Sequence, residues 1–415
     1  MSNILEVAER ILRKYPLCDN CLGRFFARLG RGLTNDIRGR SIKTVILMNL
    51  FTRYSASERS KLLSELREFA IKGGEPFKTT LEKLSGEKVA EEKCFVCGSR
   101  IKDFFEEYSK RSVKILEREG LKKFLIGVSV PKEITEREEE IAREFKIDSW
   151  ESIKNELKRE IGKRVRDQGY TPDFEDPDIV INIDISTGAI LTSYPSALYL
   201  LRVAKLEKGY RLRRSRGSLE DILNSRLSIY EPSYTRLHLL ARDSRNYVIY
   251  EPGIYAILEI HSPRKGKPSV DELRNLLKDL YPYKVNVISR VFKRDIYELS
   301  MKLTKVIYEI KAASKGPIDI NKLEKIFSEN KNTFYITQMT PTRLLERVGE
   351  RIRRGQVVIR DYRVENNLLR VIIQIDKYLF PEEFITGDNG RTDPSLSSVL
   401  EVDLEVKDVS IIDMT

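Results

Sequence analysis

Two histidines in 415 residues are too few for chemistry built on a histidine base with its partners, or for a metal held by several imidazoles. Four cysteines are too few for a disulfide framework in a chain of this length. No apolar run approaches the roughly 20 residues of a membrane helix; the stretch Ile179 to Ile185 is interrupted by Asn182 and Asp184. The first residues are acidic and helix-patterned, without the basic and apolar regions of a secretory leader, so no secretory signal is expected. There is no G-x-x-x-x-G-K-[ST] and no strand-linked G-x-G-x-x-G, which excludes the common glycine-rich phosphate loops. Membrane and secreted classes drop out, and a cytoplasmic protein is expected.

What the chain does have is charge. Lys plus Arg number 74 against 63 acids, a net +11 that favours an anionic partner, nucleic acid first. High Lys and Glu with only four Gln suits a thermophile. The cysteines form two C-x-x-C pairs, Cys18 with Cys21 and Cys94 with Cys97. Two pairs supply four thiolates, the donor set of one structural zinc per chain with no open position for a substrate. The length fits two or three domains of roughly 100–200 residues each.

Helical periodicity governs the first hundred residues: Ser2 to Lys14, Asp36 to Leu50, and Glu58 to Ile71, which ends at Gly73-Gly74. A basic stretch carries Arg24, Arg28, Arg31, Arg38, Arg40 and Lys43, either a nucleic-acid patch or a solvated surface around the metal. From about Lys122 the pattern becomes α/β. Phe124 to Val130 reads as a strand, and Glu136 to Glu144 and Ser149 to Arg166 as helices. Ile179 to Ile185 and Ala189 to Ser193 read as a hairpin turning at Gly188. Arg202, Lys205, Lys208, Arg211, Arg213, Arg214 and Arg216 then form a basic bridge suited to phosphate contacts, or to a solvated linker. Beyond it, strands are expected at Tyr247 to Tyr250, Tyr255 to His261, Lys284 to Val291, Ile296 to Leu303, Gln356 to Val364 and Leu368 to Asp376. Helices are expected at Ser269 to Leu280 and Ile320 to Ser328. Asp243, between Arg242 and Arg245, should be ionised, as a nucleophile requires or as a surface salt-bridge loop provides.

Several motifs are familiar. Tyr15-Pro16-Leu17-Cys18 through Cys21-Leu22-Gly23-Arg24 to Asn35, followed by Arg38 to Lys43, resembles the N-terminal zinc segment of the archaeal and eukaryotic tRNA pseudouridine-54/55 synthases. Cys94 to Cys97 resembles their second cysteine pair, and Asp173 to Val180 the start of a hairpin in their THUMP-containing accessory domain. Gln338 to Arg343 and Gly387 to Ser395 resemble two catalytic-domain motifs. The resemblance spans the chain, and it implies an α+β fold. Residues 1–115 would form a helical zinc-binding region, 116–210 a THUMP-like RNA-binding domain, and 211–415 a mixed α/β pseudouridine-synthase-type catalytic domain. It further implies a monomeric protein with tRNA as partner through the TΨC arm, a flipped uridine, and an aspartate that breaks and re-forms its glycosidic bond. Structural zinc but no organic cofactor is implied.

The chain departs from the family at its catalytic signature, Gly-Arg-Glu-Asp-x-Asp. With Arg242 as anchor, Ser244 falls at the nucleophile and Asn246 at the second aspartate, while Asp243 stands one residue early. In an extended segment that shift turns a side chain to the opposite face. Tyr250-Glu251-Pro252-Gly253 replaces a glycine-rich stretch, and Pro381-Glu382-Glu383-Phe384 has an acid where the family has lysine. Tyr297 falls where the family's active-site tyrosine is expected, and Arg391 keeps its place. Three readings follow: a tRNA-binding member that no longer isomerises, an active synthase using Asp243 with Tyr297 and Arg391, or a zinc-stabilised factor acting on RNA folding or the ribosome.

Overall fold

The structure, a computed structural model, describes residues 4–30, 32–328 and 331–415; Ser2 and Arg31 lie outside the described residues. The chain divides into two compact units, Met1–Ser193 and Tyr194–Thr415.

In the first unit, apolar residues at helical spacing become buried stripes, such as Val7, Ala8, Ile11 and Leu12 of α1 (Ile4–Lys14). α2 (Asp19–Phe25), α3 (Asn35–Arg53), α4 (Arg59–Gly73) and α5 (Phe77–Ser85) complete the helical region. α2 and α3 cross at two glycines. A Cβ on Gly23 would stand 1.8 Å from the Asn35 carbonyl oxygen, and one on Gly39 would stand 2.0 Å from that of Asp19. These glycines of the sequence motif serve close helix approach.

α6 (Ile101–Glu119) leads into β1 (Lys123–Ser129), α7 (Lys132–Glu144), α8 (Ile153–Arg166), β2 (Thr171–Pro172), β3 (Ile179–Asp184) and β4 (Ile190–Ser193). The sheet order is β2-β1-β3-β4. β1 runs parallel to β2 and β3, with Phe124 opposite Ile179, and β3 turns at Gly188 into antiparallel β4. The expected hairpin is present. Phe124, Ile126 and Val128 alternate inward, and α8 packs against β1.

The second unit begins with β5 (Ala197–Lys205), followed by α9 (Leu219–Arg226), β6 (Tyr234–Leu239), β7 (Tyr247–His261), α10 (Val270–Leu276), β8 (Tyr283–Val291) and α11 (Lys293–Lys302). Then come β9 (Lys305–Ser314), α12 (Ile320–Ser328), β10 (Thr333–Met339), α13 (Leu345–Val348), β11 (Ile352–Glu365) and β12 (Leu368–Asp376). α14 (Pro381–Thr386), β13 (Thr392–Asp393), α15 (Leu396–Leu400) and β14 (Leu404–Met414) finish it. Nine strands run in the order β13-β10-β11-β12-β9-β14-β7-β5-β8, with β6 paired to β7. Every pairing is antiparallel except β14 with β7.

The α+β class and the order of regions hold, with three local differences. The compact second unit opens at Tyr194, because β5 pairs with β7 and β8 inside the large sheet. Arg202 and Lys205 therefore belong to a strand and not to a linker. The two strands expected at Tyr247 to Tyr250 and Tyr255 to His261 are one, running through Pro252. The strand expected at Ile296 to Leu303 is helix α11: Asp295 accepts the Phe292 N–H at 2.8 Å, a first-turn cap that a short apolar alternation conceals.

Candidate functional site

The first site is built from the two cysteine pairs. Cys18 is the N-cap of α2 and Cys21 lies within it, while Cys94 and Cys97 flank the turn before α6. The Phe95 N–H donates to the Pro16 carbonyl at 2.8 Å and draws the knuckles together. All four Sγ atoms lie within 4.8 Å of one another, and Cys18 and Cys97 are 3.7 Å apart. That is too long for a disulfide, whereas Zn–S bonds of about 2.3 Å in a tetrahedron put sulfurs about 3.8 Å apart. Left to themselves the thiols titrate far apart. Hydrogen bonding to Cys18 holds Cys21 well above the usual thiol range, and bonds from Cys18 and Cys21 draw Cys94 well below it. Four cysteine sulfurs gathered at the spacing of a tetrahedron fit a metal.

Arg24, one turn after Cys21, is 1% exposed. Its Nη2 donates to Cys21 Sγ at 3.4 Å, and its guanidinium stands 3.2 Å from Glu138 of α7 and 3.3 Å from Glu156 of α8. Burial raises the pKa of both carboxyls, and Arg24 opposes the rise. Glu138 also accepts the Ile153 N–H at the start of α8. Arg24 is thus the knot between the cysteine region and the α/β sheet's helices, buried where a phosphate contact was expected. Two neighbours face inward with it. Arg38 is buried and donates to the carbonyls of Leu29, Gly30 and Leu33. Lys43 is buried on the Leu17 and Gly73 carbonyls and Asp19. Charged residues facing inward satisfy backbone and carboxylates that a sequence does not display. Arg28 and Arg40 stay exposed, Arg40 beside Asp19, and Arg28 lines a hollow of about 470 Å³ with Trp150 and Arg159.

In the second unit a cavity of about 660 Å³ opens around the 241–246 loop. Arg211, Arg213 and Arg214 enter it from the segment after β5. Arg242 and Arg245 come from the loop itself, and Arg343 and Arg347 from the turn after β10. The sole carboxylate in its lining is Asp243, and it is fully engaged. Lys205 Nζ donates to Asp243 Oδ1 at 2.6 Å and the Leu212 N–H to Oδ2 at 3.0 Å. Lys205 is 0% exposed and also donates to the carbonyls of Ser244 and Tyr210; burial lowers its pKa against the pull of Asp243. Lys205, expected as an RNA contact, is placed as the anchor of this loop. Burial and then the Asp243 charge push Tyr283 up to about 12.

Ser244 also lines the cavity. Among the described residues its hydroxyl has a single hydrogen bond, accepted from the Asn246 N–H at 3.4 Å, and no base. Arg242 lies 3.7 Å over the Phe380 ring and donates to the Tyr378 carbonyl at 2.7 Å; Arg353 sits 5.2 Å from the same ring. Burial and then Arg353 lower the Arg242 pKa.

Tyr297 and Arg391 do not join this cavity. Tyr297 is 74% exposed on α11. Arg391 donates to the Thr340 carbonyl at 2.9 Å and pairs with Glu350 at 2.7 Å, clipping the 387–394 loop to the turn after β10. The tyrosines near Asp243 are others. Tyr308 of β9 is buried, packs edge-on to Tyr247 at 6.1 Å, and has its pKa raised by burial. Tyr247 bonds Glu382, which with Glu383 holds Arg343. Inward alternation at Val306, Tyr308, Ile310 and Ala312 was the signal that could have found Tyr308. Of the remaining bridge cations, Arg202 pairs with Asp413 and Lys208 with Asp408, while Arg216 is exposed.

Residues 108–184 match a family model described as Pus10 THUMP domain, archaeal, and residues 210–415 match one described as Pus10, C-terminal. A tRNA pseudouridine synthase Pus10 of Ignisphaera aggregans is 33% identical, with 96% of each chain covered. Its namesake in Vulcanisaeta distributa is 31% identical over 99% of each chain. That of Thermofilum pendens is 30% identical, covering 97% of this chain and 94% of that protein.

Proposed function

The chain belongs to the Pus10 family of tRNA pseudouridine synthases, and from that premise we propose that it binds tRNA through the TΨC arm and no longer isomerises uridine. One observation carries the reading: the sole acid lining the cavity, Asp243, has its two oxygens taken by Lys205 and the Leu212 N–H. A carboxylate so held would have to break a buried ion pair before attacking a nucleoside. Ser244 and Asn246, at the two positions where the family has aspartates, supply no carboxylate. A serine without a base stays protonated and weakly nucleophilic. The metal is zinc, one per chain and structural, since four sulfurs leave no position for a substrate. Among the described residues no helix is long and apolar enough to cross a membrane.

The test is pseudouridine formation in an unmodified tRNA transcript under single-turnover conditions, with binding measured on the same samples. Tight binding without product is the expected result. Product that vanishes in Asp243→Ala would make Asp243 the nucleophile and overturn the loss of catalysis. Failure to bind the transcript would overturn the tRNA reading. Ser244→Asp with Asn246→Asp asks whether restoring the acids restores turnover.

A further inference from the structure

We propose that the cavity around the 241–246 loop is a seat for phosphate groups, and that it takes those of an RNA backbone and not a nucleobase. The RNA half of this rests on the tRNA-binding reading; the anion half does not. A uracil is neutral and flat, and it calls for an apolar sandwich and a few matched hydrogen bonds. This cavity presents seven arginines against one carboxylate, and that carboxylate is already neutralised by Lys205.

Most of these arginines have no acid opposite them among the described residues. Arg343 pairs with Glu382 and Glu383, but the other six have no ion-pair partner among the described residues. Arg242 is the best-built of them. The Phe380 ring and the Tyr378 carbonyl fix its plane, while its Nε is buried without a hydrogen-bond partner. Arg353 shares the same ring, has no ion-pair partner among the described residues, and buries an equally unpartnered Nη1. Arg242, which lines the cavity, thus holds a buried donor that nothing in the described protein satisfies, beside a second guanidinium on the same ring. A buried donor without a partner calls for an explanation such as a bound ion. Phosphate is the anion whose oxygens match the guanidinium fork, and it accepts two parallel bonds from one arginine. At about 660 Å³ the cavity has room for more than one such group.

The experiment titrates inorganic pyrophosphate into the full chain by calorimetry, with uridine as the neutral control. It then competes each against a bound tRNA transcript at fixed ionic strength. Pyrophosphate should bind and displace the transcript, and uridine should do neither. Arg242→Ala should weaken pyrophosphate at least tenfold. Because Arg242 packs on Phe380, the exposed pair Arg211→Ala with Arg347→Ala serves as a second variant, expected to weaken it severalfold. Each arginine removed should also lower the slope of log affinity against log salt by about 0.7.

No pyrophosphate binding by a chain that still holds the transcript would overturn the seat and leave the tRNA reading standing. Pyrophosphate bound without displacing the transcript would make a free phosphate compound the ligand and overturn the RNA assignment. Pyrophosphate bound by a chain that ignores the transcript would sink the tRNA reading and this assignment together. Displacement by uridine would make the cavity a base pocket.

Discussion

In the N-terminal unit Arg24 meets Glu138, Glu156 and a cysteine sulfur, and Lys43 meets Asp19 and two carbonyls. In the C-terminal unit Arg242 meets an aromatic ring, a carbonyl and a second guanidinium. Both regions gather cations, but at Arg24 and Lys43 acids match them, whereas most arginines of the second cavity face none among the described residues. A buried cation balanced by carboxylates is spent on holding the fold together. A cluster left unbalanced keeps its donors for something that arrives from outside. Charge density along the sequence is the same signal in both places; the partners around each side chain separate the two roles.

The largest effect should come from the metal. Stripping it with a chelator should unfold the N-terminal unit, an effect of about 10 kcal/mol on the scale of structural zinc sites. Elemental analysis should find one zinc per chain, and loss of helical circular dichroism should follow removal. A chain that keeps its melting profile without metal would break the comparison at its root. Next comes Arg24→Met, which strands two buried carboxylates and should cost about 3–5 kcal/mol in denaturant unfolding. Adding Glu138→Gln and Glu156→Gln should recover part of that loss, whereas a triple variant worse than the single one would show that the balance of charge is not what holds this knot.

Asp243→Asn tests a place where the second unit resembles the first, a buried cation matched by an acid. Removing the carboxylate leaves Lys205 charged and buried, so thermal unfolding should move down by about 3 kcal/mol while RNA binding persists. Unchanged stability would mean that the Lys205–Asp243 pair does no structural work and return Asp243 to chemistry. Smallest of all, Arg347→Ala should shift stability by under about 0.5 kcal/mol, because this exposed arginine pairs with no acid. The same variant should bind the transcript more weakly, and a large stability loss there would erase the distinction between the units.

Much of the fold could be read from residue order. The cysteine spacing foretold the four-sulfur cluster, and period-two alternation from Ile179 to Ser193 foretold the hairpin. Helices α1, α3, α4, α7 and α8 were legible because each buries one stripe. What stayed hidden was direction. A run of arginines and lysines does not say which of them turns inward, so Arg24, Arg38, Lys43 and Lys205 were read with their exposed neighbours. Pro252 looked like the end of a strand that in fact continues, and Tyr297 was taken for a strand residue where Asp295 starts a helix. The cavity itself was illegible as a unit, since its arginines come from three segments that only the large sheet brings together.

That sheet carries one more consequence. β14 runs between β9 and β7, so the last strand of this chain is the piece that joins the sheet's two halves. During synthesis, β5 to β8 and β9 to β12 emerge long before it does. Until it arrives each half keeps an open edge, a template for any passing strand. Closure of the C-terminal unit therefore waits on translation reaching the end of β14, and a chain stopped short of Leu404 would be two unjoined half-sheets, prone to pair with neighbours.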